Sequence, residues 1–234
     1  MATNIGEIRE KVKTRVQDDA GHLVAAEMAG DIDPAILAAL TEYQLQRPRE
    51  RVAKVQGTGG FDYALDGGSP KLPGWQEGFS DVLEIVHPYA AATQNPTPLD
   101  RTEYAVVRLD TGLFLRFRAA SPGVAEFFLA TYTTAHTIDA ATSTVVATDD
   151  EALADLAASF AFLKLAARYA QSTDSSIQAD AVDRRTKPDI YRSLSGDYRK
   201  RYEAKLELGD KALSAAVAVG VIGRPIDATE RLFH

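Results

Sequence analysis

The sequence predicts an α+β fold, in which an α-helical bundle carries an inserted small antiparallel β-sandwich or barrel and an extended C-terminal tail. Apolar residues recur at helical spacing in residues 1–48 and 149–208, which are predicted to form the bundle. Over residues 49–148 glycine and proline become frequent and the apolar period shortens, as expected of a β-domain. Residues 209–234 are too few to form a core of their own and are predicted to be the tail.

The composition limits the possible function classes. The chain has 234 residues, of which 45 % are hydrophobic, so a well-packed core is expected. It contains 0 cysteines, which excludes disulfides, thiolate metal sites and cysteine nucleophiles. Met1 is not followed by a basic segment and an apolar run, so no signal peptide is expected. The longest apolar window, 212–222, is shorter than the roughly 20 residues of a membrane-spanning helix, so no membrane partner is expected.

Two helices are predicted before residue 48. Asn4 or Thr3 can cap the first helix, in which four apolar residues follow at helical spacing: Ile5, Ile8, Val12 and Val16. Asp33 and Pro34 predict the start of the second helix, because aspartate caps free backbone N–H groups and proline suits the first helical position. Pro48 predicts its end, because the residue before a proline is disfavoured in the helical region.

The insert is predicted to contain five strands, over Arg51–Val55, Asp81–Pro88, Glu103–Asp110, Leu113–Arg118 and Ala125–Thr133. Residues 61–65 also have the pattern of a strand. Gly57–Gly60 lacks the following lysine and hydroxyl residue of a phosphate-binding loop, so it is predicted to be a hairpin turn. Trp75 and Phe79 fit either a recognition loop or a core plug under the β-domain.

Two further helices are predicted after the insert. Thr148 and Glu151 have the spacing of a capping box before the third helix. One face of this helix forms an apolar seam at alternating spacings of three and four: Leu153, Leu156, Phe160, Leu163, Ala167 and Ala170. Pro188 either starts or kinks the last helix, and Gly209 is its predicted C-cap. The inner face of the last helix is predicted to be Tyr191, Leu194, Tyr198, Tyr202 and Leu206.

No residue of the chain has the pattern of a catalytic, cofactor-binding or metal-binding site. The four histidines, His22, His87, His136 and His234, are scattered and form no metal-binding spacing. The acidic pairs Asp18–Asp19 and Asp149–Asp150 lie at predicted helix ends, where they complement the helix dipole. The chain is therefore not expected to be an enzyme or to need a cofactor.

The charge is unevenly distributed. The net charge of −7 argues against general nucleic-acid binding, yet residues 184–205 contain eight basic and three acidic residues, a local charge of +5. This segment is either a solvated helix face or a docking face for an acidic partner or a neighbouring subunit. The candidate docking residues are Arg184, Arg185, Arg192 and Arg199.

The order of these segments resembles that of the head–tail connector (adaptor) proteins of tailed bacteriophages. The resemblance spans about residues 5–206 and rests on the ordered series, since no single motif is diagnostic. The segments that carry it are Ala35–Glu50, Gly60–Leu65, Trp75–Ile85, Leu99–Tyr104, Leu129–His136 and Leu156–Asp174.

The resemblance implies a structural protein of the virion neck, made in the host cytoplasm. Such adaptors form a ring, typically dodecameric, that docks on the portal protein and links the DNA-filled capsid to the tail. Its implied partners are further copies of the chain, the portal and a neighbouring neck or tail protein. Genomic DNA would pass through the channel without sequence-specific binding, and a net acidic wall suits that passage.

The C-terminal tail is the predicted portal-binding element. The resemblance implies C-terminal segments that reach into the portal, and the apolar residues of this tail have no partners within its own length. An alternative is that the segment folds back on its own bundle. The candidate residues are Leu213, Val217, Val219, Val221, Ile222, Arg224, Ile226 and Arg231.

Two other functions remain open at this stage. One is another phage neck component, a head-closure or tail-terminator ring, although such rings are mostly β-structured and this chain is rich in predicted helix. The other is a small enzyme with a β-insert.

Overall fold

The computed structural model of the chain describes residues 4–16, 28–65, 72–90, 97–171 and 181–207, without the side chains of 28–30, 171 and 181–187. It has a mixed α+β fold. The helices are α1 (Ile5–Val16), α2 (Met28–Gln46), α3 (Asp150–Gln171) and α4 (Ala181–Lys205), with a short 3-10 turn at Ala147–Asp149. The strands are β1 (Arg49–Gln56), β2 (Asp62–Ala64), β3 (Val82–Val86), β4 (Tyr104–Leu109), β5 (Gly112–Phe117) and β6 (Phe127–Thr134).

The described residues divide into two compact units. The helical unit contains those up to Glu42 and from Ile138 onward, and the β unit contains Tyr43–Thr137. The last turn of α2 therefore belongs to the β unit.

The first two helices begin in different ways. Asn4 caps α1, as predicted, because its side-chain oxygen accepts a hydrogen bond from the Glu7 N–H at 3.0 Å. The predicted start of α2 at Asp33 is wrong, because α2 begins at Met28 and Pro34 lies inside it. Asp33 is engaged elsewhere, since its two carboxylate oxygens accept hydrogen bonds from Arg9 of α1 at 2.8 and 2.7 Å.

The start of α3 also departs from the prediction. No side-chain cap closes the 3-10 turn that leads into the helix, and Thr148 donates to the Asp149 carboxylate at 3.2 Å. Glu151, the expected partner of Thr148 in a capping box, pairs with Lys11 at 2.9 Å and with Arg15 instead. The capping-box prediction is wrong because Lys11 and Arg15 of α1 bind the Glu151 carboxylate that the capping box requires.

The predicted seam of α3 is correct only in its first half. Leu153 and Leu156 are fully buried, but Leu163 is 45 % exposed and Ala167 lies on the same exposed side. The buried face of the second half contains Ala161, Phe162, Leu165 and Ala166.

The predicted inner face of α4 is confirmed. Tyr202 and Leu206 are buried, and the rings of Tyr191 and Tyr198 stack on Phe162 of α3 with centroids 6.1 and 5.5 Å away. Pro188 lies inside α4, so it does not start the helix. The predicted C-cap Gly209 lies outside the described residues.

A buried carboxylate connects three helices of this unit. Asp155 of α3 is 2 % exposed, and its side chain pairs with Arg15 of α1 and, at 2.6 Å, with Lys205 of α4. Burial alone would lower the pKa of the Arg15 guanidinium, but its bonds to Asp155 and Glu151 outweigh this and raise that pKa. Glu151 has its pKa lowered to about 2, mainly by its hydrogen bond with Lys11.

The β unit contains two separate three-stranded antiparallel sheets in the order β1-β6-β3 and β2-β5-β4; the described strands do not close into a barrel. All five predicted strands are present, and residues 61–65 contain β2. The register pairs Ala53 with Ala130 in the first sheet and Val106 with Leu115 in the second.

Gly57–Gly60 is not the hairpin turn that the sequence predicted, because the strands on either side of it, β1 and β2, lie in different sheets. The segment runs against Pro122 and Gly123. The Gly59 N–H donates to the Pro122 carbonyl at 2.9 Å, and a Cβ at Gly57 would lie 2.2 Å from the Gly123 carbonyl oxygen. Glycine is therefore required at position 57 by the close approach of another backbone segment.

Side chains from both sheets share one apolar core. Its largest fully buried members include Tyr132 and Phe128 from the first sheet and Phe117 and Leu115 from the second. Trp75 packs against this core, with its ring centroid 6.1 Å from that of Tyr132. Trp75 is partly buried against the core, which supports the core interpretation over the recognition loop.

Adjacent residues of α3 provide a direct test of which face is buried. Phe162→Ala is expected to lower the free energy of unfolding by about 3–5 kcal/mol, because it removes a buried ring stacked on two tyrosines. Leu163→Ala is expected to change it by no more than about 0.5 kcal/mol. Urea denaturation of both variants measures the difference, and equal losses would show that the assigned buried face is wrong.

The Glu151 ion pairs predict a loss of stability in acid. Because the folded-state pKa of about 2 lies below the ordinary value of 4.5, the stabilisation is present above pH 4.5 and is lost as the pH falls toward 2. The side chain is 52 % exposed, so solvent screening limits the effect to less than about 1 kcal/mol. Glu151→Gln should show a flatter dependence of unfolding free energy on pH between 5 and 2. An unchanged dependence would contradict this assignment.

Candidate interaction surfaces

The acidic residues of α2 point to its neighbouring helices. Asp31 pairs with Arg168 at 3.0 Å and approaches Lys164 at 4.0 Å, both on α3. The Lys164 ammonium also donates to the Asp31 carbonyl at 3.0 Å. Within the helical unit, α2 is thus tied on its flanks by charge pairs with α1, α3 and α4: Arg9–Asp33, Arg168–Asp31 and Arg199–Glu42.

The outward face of α2 in the helical unit is uncharged. Pro34, Leu37, Ala38 and Thr41 recur at helical spacing and are exposed, with Leu37 at 49 %. The Thr41 hydroxyl donates to the Leu37 carbonyl at 2.9 Å, so its hydrogen is already bonded within the helix and does not require a water molecule. An exposed helix normally carries its charged residues on this outward face, so the arrangement in α2 is unusual.

A second uncharged row lies on α3. Leu163, Ala167 and Ala170 are exposed and follow one another at spacings of four and three. Leu163 immediately precedes Lys164, and Ala167 immediately precedes Arg168. Both of these cations contact Asp31. On α2, positions 34 and 38 lie on the same side as position 31, three and seven residues later.

Each row lies beside the line of ion pairs between Asp31 and α3, and we call the two rows together the α2–α3 surface. Its residues are Pro34, Leu37, Ala38 and Thr41 of α2 and Leu163, Ala167 and Ala170 of α3. Sequence reasoning missed the α2 half of it. The signal was present, because residues 34–41 contain no charged residue on any side of the helix.

The predicted basic face of α4 is only partly available. Positions 185, 192 and 199 are seven residues apart and therefore lie on one side of α4. Position 184 is rotated by about 100° from position 185 and lies on a different side. Arg199 pairs with Glu42 and lies 3.5 Å from Glu203. Arg192 is exposed and is 3.4 Å from Asp189. The side chains of Arg184 and Arg185 lie outside the described part of the structure.

The β unit has a different kind of surface. The Lys54 ammonium lies over the rings of Phe127 and Tyr89, 4.1 and 5.7 Å from their centroids. Lys54 belongs to β1, an edge strand that also carries Arg49 and Arg51. Basic side chains on an edge strand discourage pairing with a strand of another chain, so they protect β1 against edge-to-edge association.

One histidine of the β unit is held by a carboxylate. The Glu126 carboxylate accepts a hydrogen bond from the Gly123 N–H at 2.8 Å and lies 3.1 Å from Nε2 of His87. The Gly123 N–H and then His87 lower the pKa of Glu126. The His87 ring also meets Phe117 edge to face, so the pair is part of the packing of this unit.

Within the described ranges, no group of three or more histidine, aspartate or glutamate side chains could hold a metal ion. None of the helices in the described part of the chain has the length and apolarity that a membrane crossing requires. The predicted portal-binding residues, from Leu213 to Arg231, lie outside the described residues.

No family model matches this chain, and no curated protein matches it.

Proposed function

We propose that this chain is a head–tail adaptor of a tailed bacteriophage, a structural protein and not an enzyme. It forms a ring, typically dodecameric in such adaptors, that docks on the portal and connects the DNA-filled capsid to the tail. The observation that carries the proposal is the ordered resemblance of residues 5–206 to these adaptors.

The arrangement of elements supports the proposal. Two helices precede six strands and two helices follow them, and the described helical parts before and after the strands belong to one unit. We further propose that the four helices form a bundle and that the two sheets pack as a sandwich around their common apolar core.

The charge distribution is consistent with a ring around DNA. The net charge of −7 disfavours tight binding to phosphate groups, so DNA would pass through the channel without being held. The basic side of α4, with Arg184, Arg185, Arg192 and Arg199, would then meet an acidic face of the next subunit or of a partner. Arg192 is its most available described member, because Arg199 already pairs with Glu42.

The tail beyond Leu208 is proposed as the main portal contact. Its uncharged apolar run, 212–222, would bury hydrophobic area between portal subunits, and Arg224 and Arg231 would pair with acidic portal groups.

Portal binding is the direct test of the function. The purified chain mixed with the portal protein of the same genome is expected to add one ring of density on the tail side of the portal, seen by electron microscopy. The portal alone and the tail tube alone are the controls. A chain that binds the tail tube and not the portal would instead be a tail terminator, and a chain that binds neither would contradict the proposal.

Truncation tests the role of the tail. A chain ending at Leu208 is expected to lose at least tenfold in portal affinity in a pull-down titration, because the apolar run is removed (a loss of about 1.4 kcal/mol). Its circular dichroism and melting temperature should match those of the full chain. Undiminished binding by a normally folded truncated chain would rule out the tail as the main contact.

A further inference from the structure

We infer that β4 is the edge at which two copies of the free chain pair, antiparallel and about a two-fold axis at Val106. The sheet β2-β5-β4 of one copy then continues into that of the second copy. This pairing is distinct from the proposed ring and does not depend on it, because subunits of a ring meet head to tail whereas a two-fold contact uses the same edge on both copies.

The outward backbone groups of β4 have no hydrogen-bond partner in the described part of the chain. The Arg118 N–H donates to the Glu103 carbonyl at 2.7 Å, and bonding alternates along an antiparallel pair, so residues 105, 107 and 109 bond to β5. Tyr104, Val106 and Arg108 therefore turn their N–H and carbonyl groups toward the open edge. Such a row of free backbone groups is satisfied by an extended partner strand.

The protection that the other described edge strands have is missing from β4. β2 is three residues long, and β1 carries basic side chains. The edge of β3 is bonded to a later segment, because the Leu99 N–H donates to the Ile85 carbonyl at 2.7 Å. The one charged residue of β4, Arg108, pairs with Glu77, and Val106 at the centre of the strand is 40 % exposed. An exposed apolar edge of this kind favours pairing with a strand of another chain.

An apolar row across the sheet identifies the occupant. Val106 lies opposite Leu115 of β5, and Leu115 lies opposite Tyr63 of β2. Tyr63 and Leu115 are only 3 % and 1 % exposed, so the row is buried except at its end, Val106. When Val106 lies opposite Val106 of the second copy, the two rows join into one, and each copy covers the exposed end of the other.

The same register uses every outward backbone group of β4. It places Tyr104 opposite Arg108 of the second copy, and Arg108 opposite Tyr104, with the pair of Val106 residues between them. Each of these three residues then donates one hydrogen bond and accepts one across the edge. A register shifted by two residues would place Tyr104 or Arg108 opposite a residue outside β4. The two edges therefore match completely only when the axis lies at Val106.

No like charges face each other in this register. Within the paired stretch 103–109, the charged residues are Glu103 and Arg108. Glu103 falls opposite Leu109 of the second copy, and Arg108 falls opposite Tyr104. Because like charges directly across a strand pair are destabilising, this placement makes β4 compatible with a second copy of itself.

The size of the contact limits its strength. Stable complexes bury roughly 800 Å² per partner and use about 20–30 residues a side, whereas β4 has six residues. The dimer is therefore expected to be weak and to form only at high protein concentration.

Sedimentation equilibrium with charge variants of Val106 tests the pairing. The mass of the full chain should rise from 25.3 kDa at micromolar concentration toward twice that value at several hundred micromolar. Val106→Lys and Val106→Glu should each keep the mass of one chain, because the two-fold register places like charges directly opposite each other. An equimolar mixture of the two variants should associate again, because opposite charges then face each other.

Val124→Lys is the matched control, because Val124 is a valine of the β unit that is 66 % exposed and lies outside β4. This control should associate like wild type, and all variants should keep the circular dichroism of wild type. A wild-type mass that does not depend on concentration would overturn the inference. So would a single Val106 variant that associates like wild type, or a mixture of the two folded variants that stays monomeric.

Amide exchange of the wild-type chain, measured by NMR, tests the edge without any substitution. The N–H groups of Tyr104, Val106 and Arg108 should exchange severalfold more slowly at high than at low protein concentration. Those of Ala105 and Val107 bond to β5 and should be slow at both concentrations, which makes them a control within the same strand.

Outward N–H groups of β4 that stay fast at high concentration would overturn the two-fold pairing. Outward groups that are already slow in dilute protein would also overturn it, because a segment of the same chain would then cover the edge. Portal binding is a separate readout, so a chain that dimerises through β4 and fails to bind the portal contradicts the proposed function and leaves this inference intact.

Discussion

The buried carboxylate of Asp155 is the constraint around which the helical unit is arranged. It is almost fully removed from solvent and it contacts a cation from each of two other helices, Arg15 and Lys205. A lone carboxylate in this position would carry a desolvation cost of several kcal/mol, which the charges of Arg15 and Lys205 offset in the folded unit. The position of α1 and the end of α4 are thereby fixed against the first turns of α3. The three Asp155-linked helices then provide the cations that hold α2, namely Arg9, Arg168 and Arg199.

The sequence-based predictions succeeded where the determinants of structure are local. The inner face of α4, the cap at Asn4 and the strands of the β unit depend on local periodicity and on short-range hydrogen bonds. Such features are visible in a single sequence, because the residues that determine them are neighbours along the chain. The sequence left two interpretations of Trp75 open, and its packing against the apolar core of the β unit supports the core interpretation.

The two capping errors share one physical cause. Asp33 and Glu151 each have the sequence context of a helix cap, and each carboxylate is bound instead by a basic side chain of α1. A long-range ion pair thus replaces a local hydrogen bond, and periodicity cannot report which cation lies nearby in space. The same limit applies to Gly57, where the constraint comes from the carbonyls of Pro122 and Gly123 more than sixty residues later. For the candidate surface, the predicted seam of α3 included Leu163 and Ala167, which the structure leaves exposed.

The surface of α2 follows from the same arrangement. Because its acidic side chains are used to bind neighbouring helices, its outward face has only uncharged residues to present to solvent. The ion pairs that hold α2 against the other helices therefore also leave its solvent-facing side uncharged. A chain under selection for solubility alone could place lysine or glutamate at positions 37 or 38, since neither side chain is buried and a helix accepts both residues. Leucine and alanine stand there instead, so this face of α2 is uncharged because the carboxylates of the helix are engaged with its neighbours.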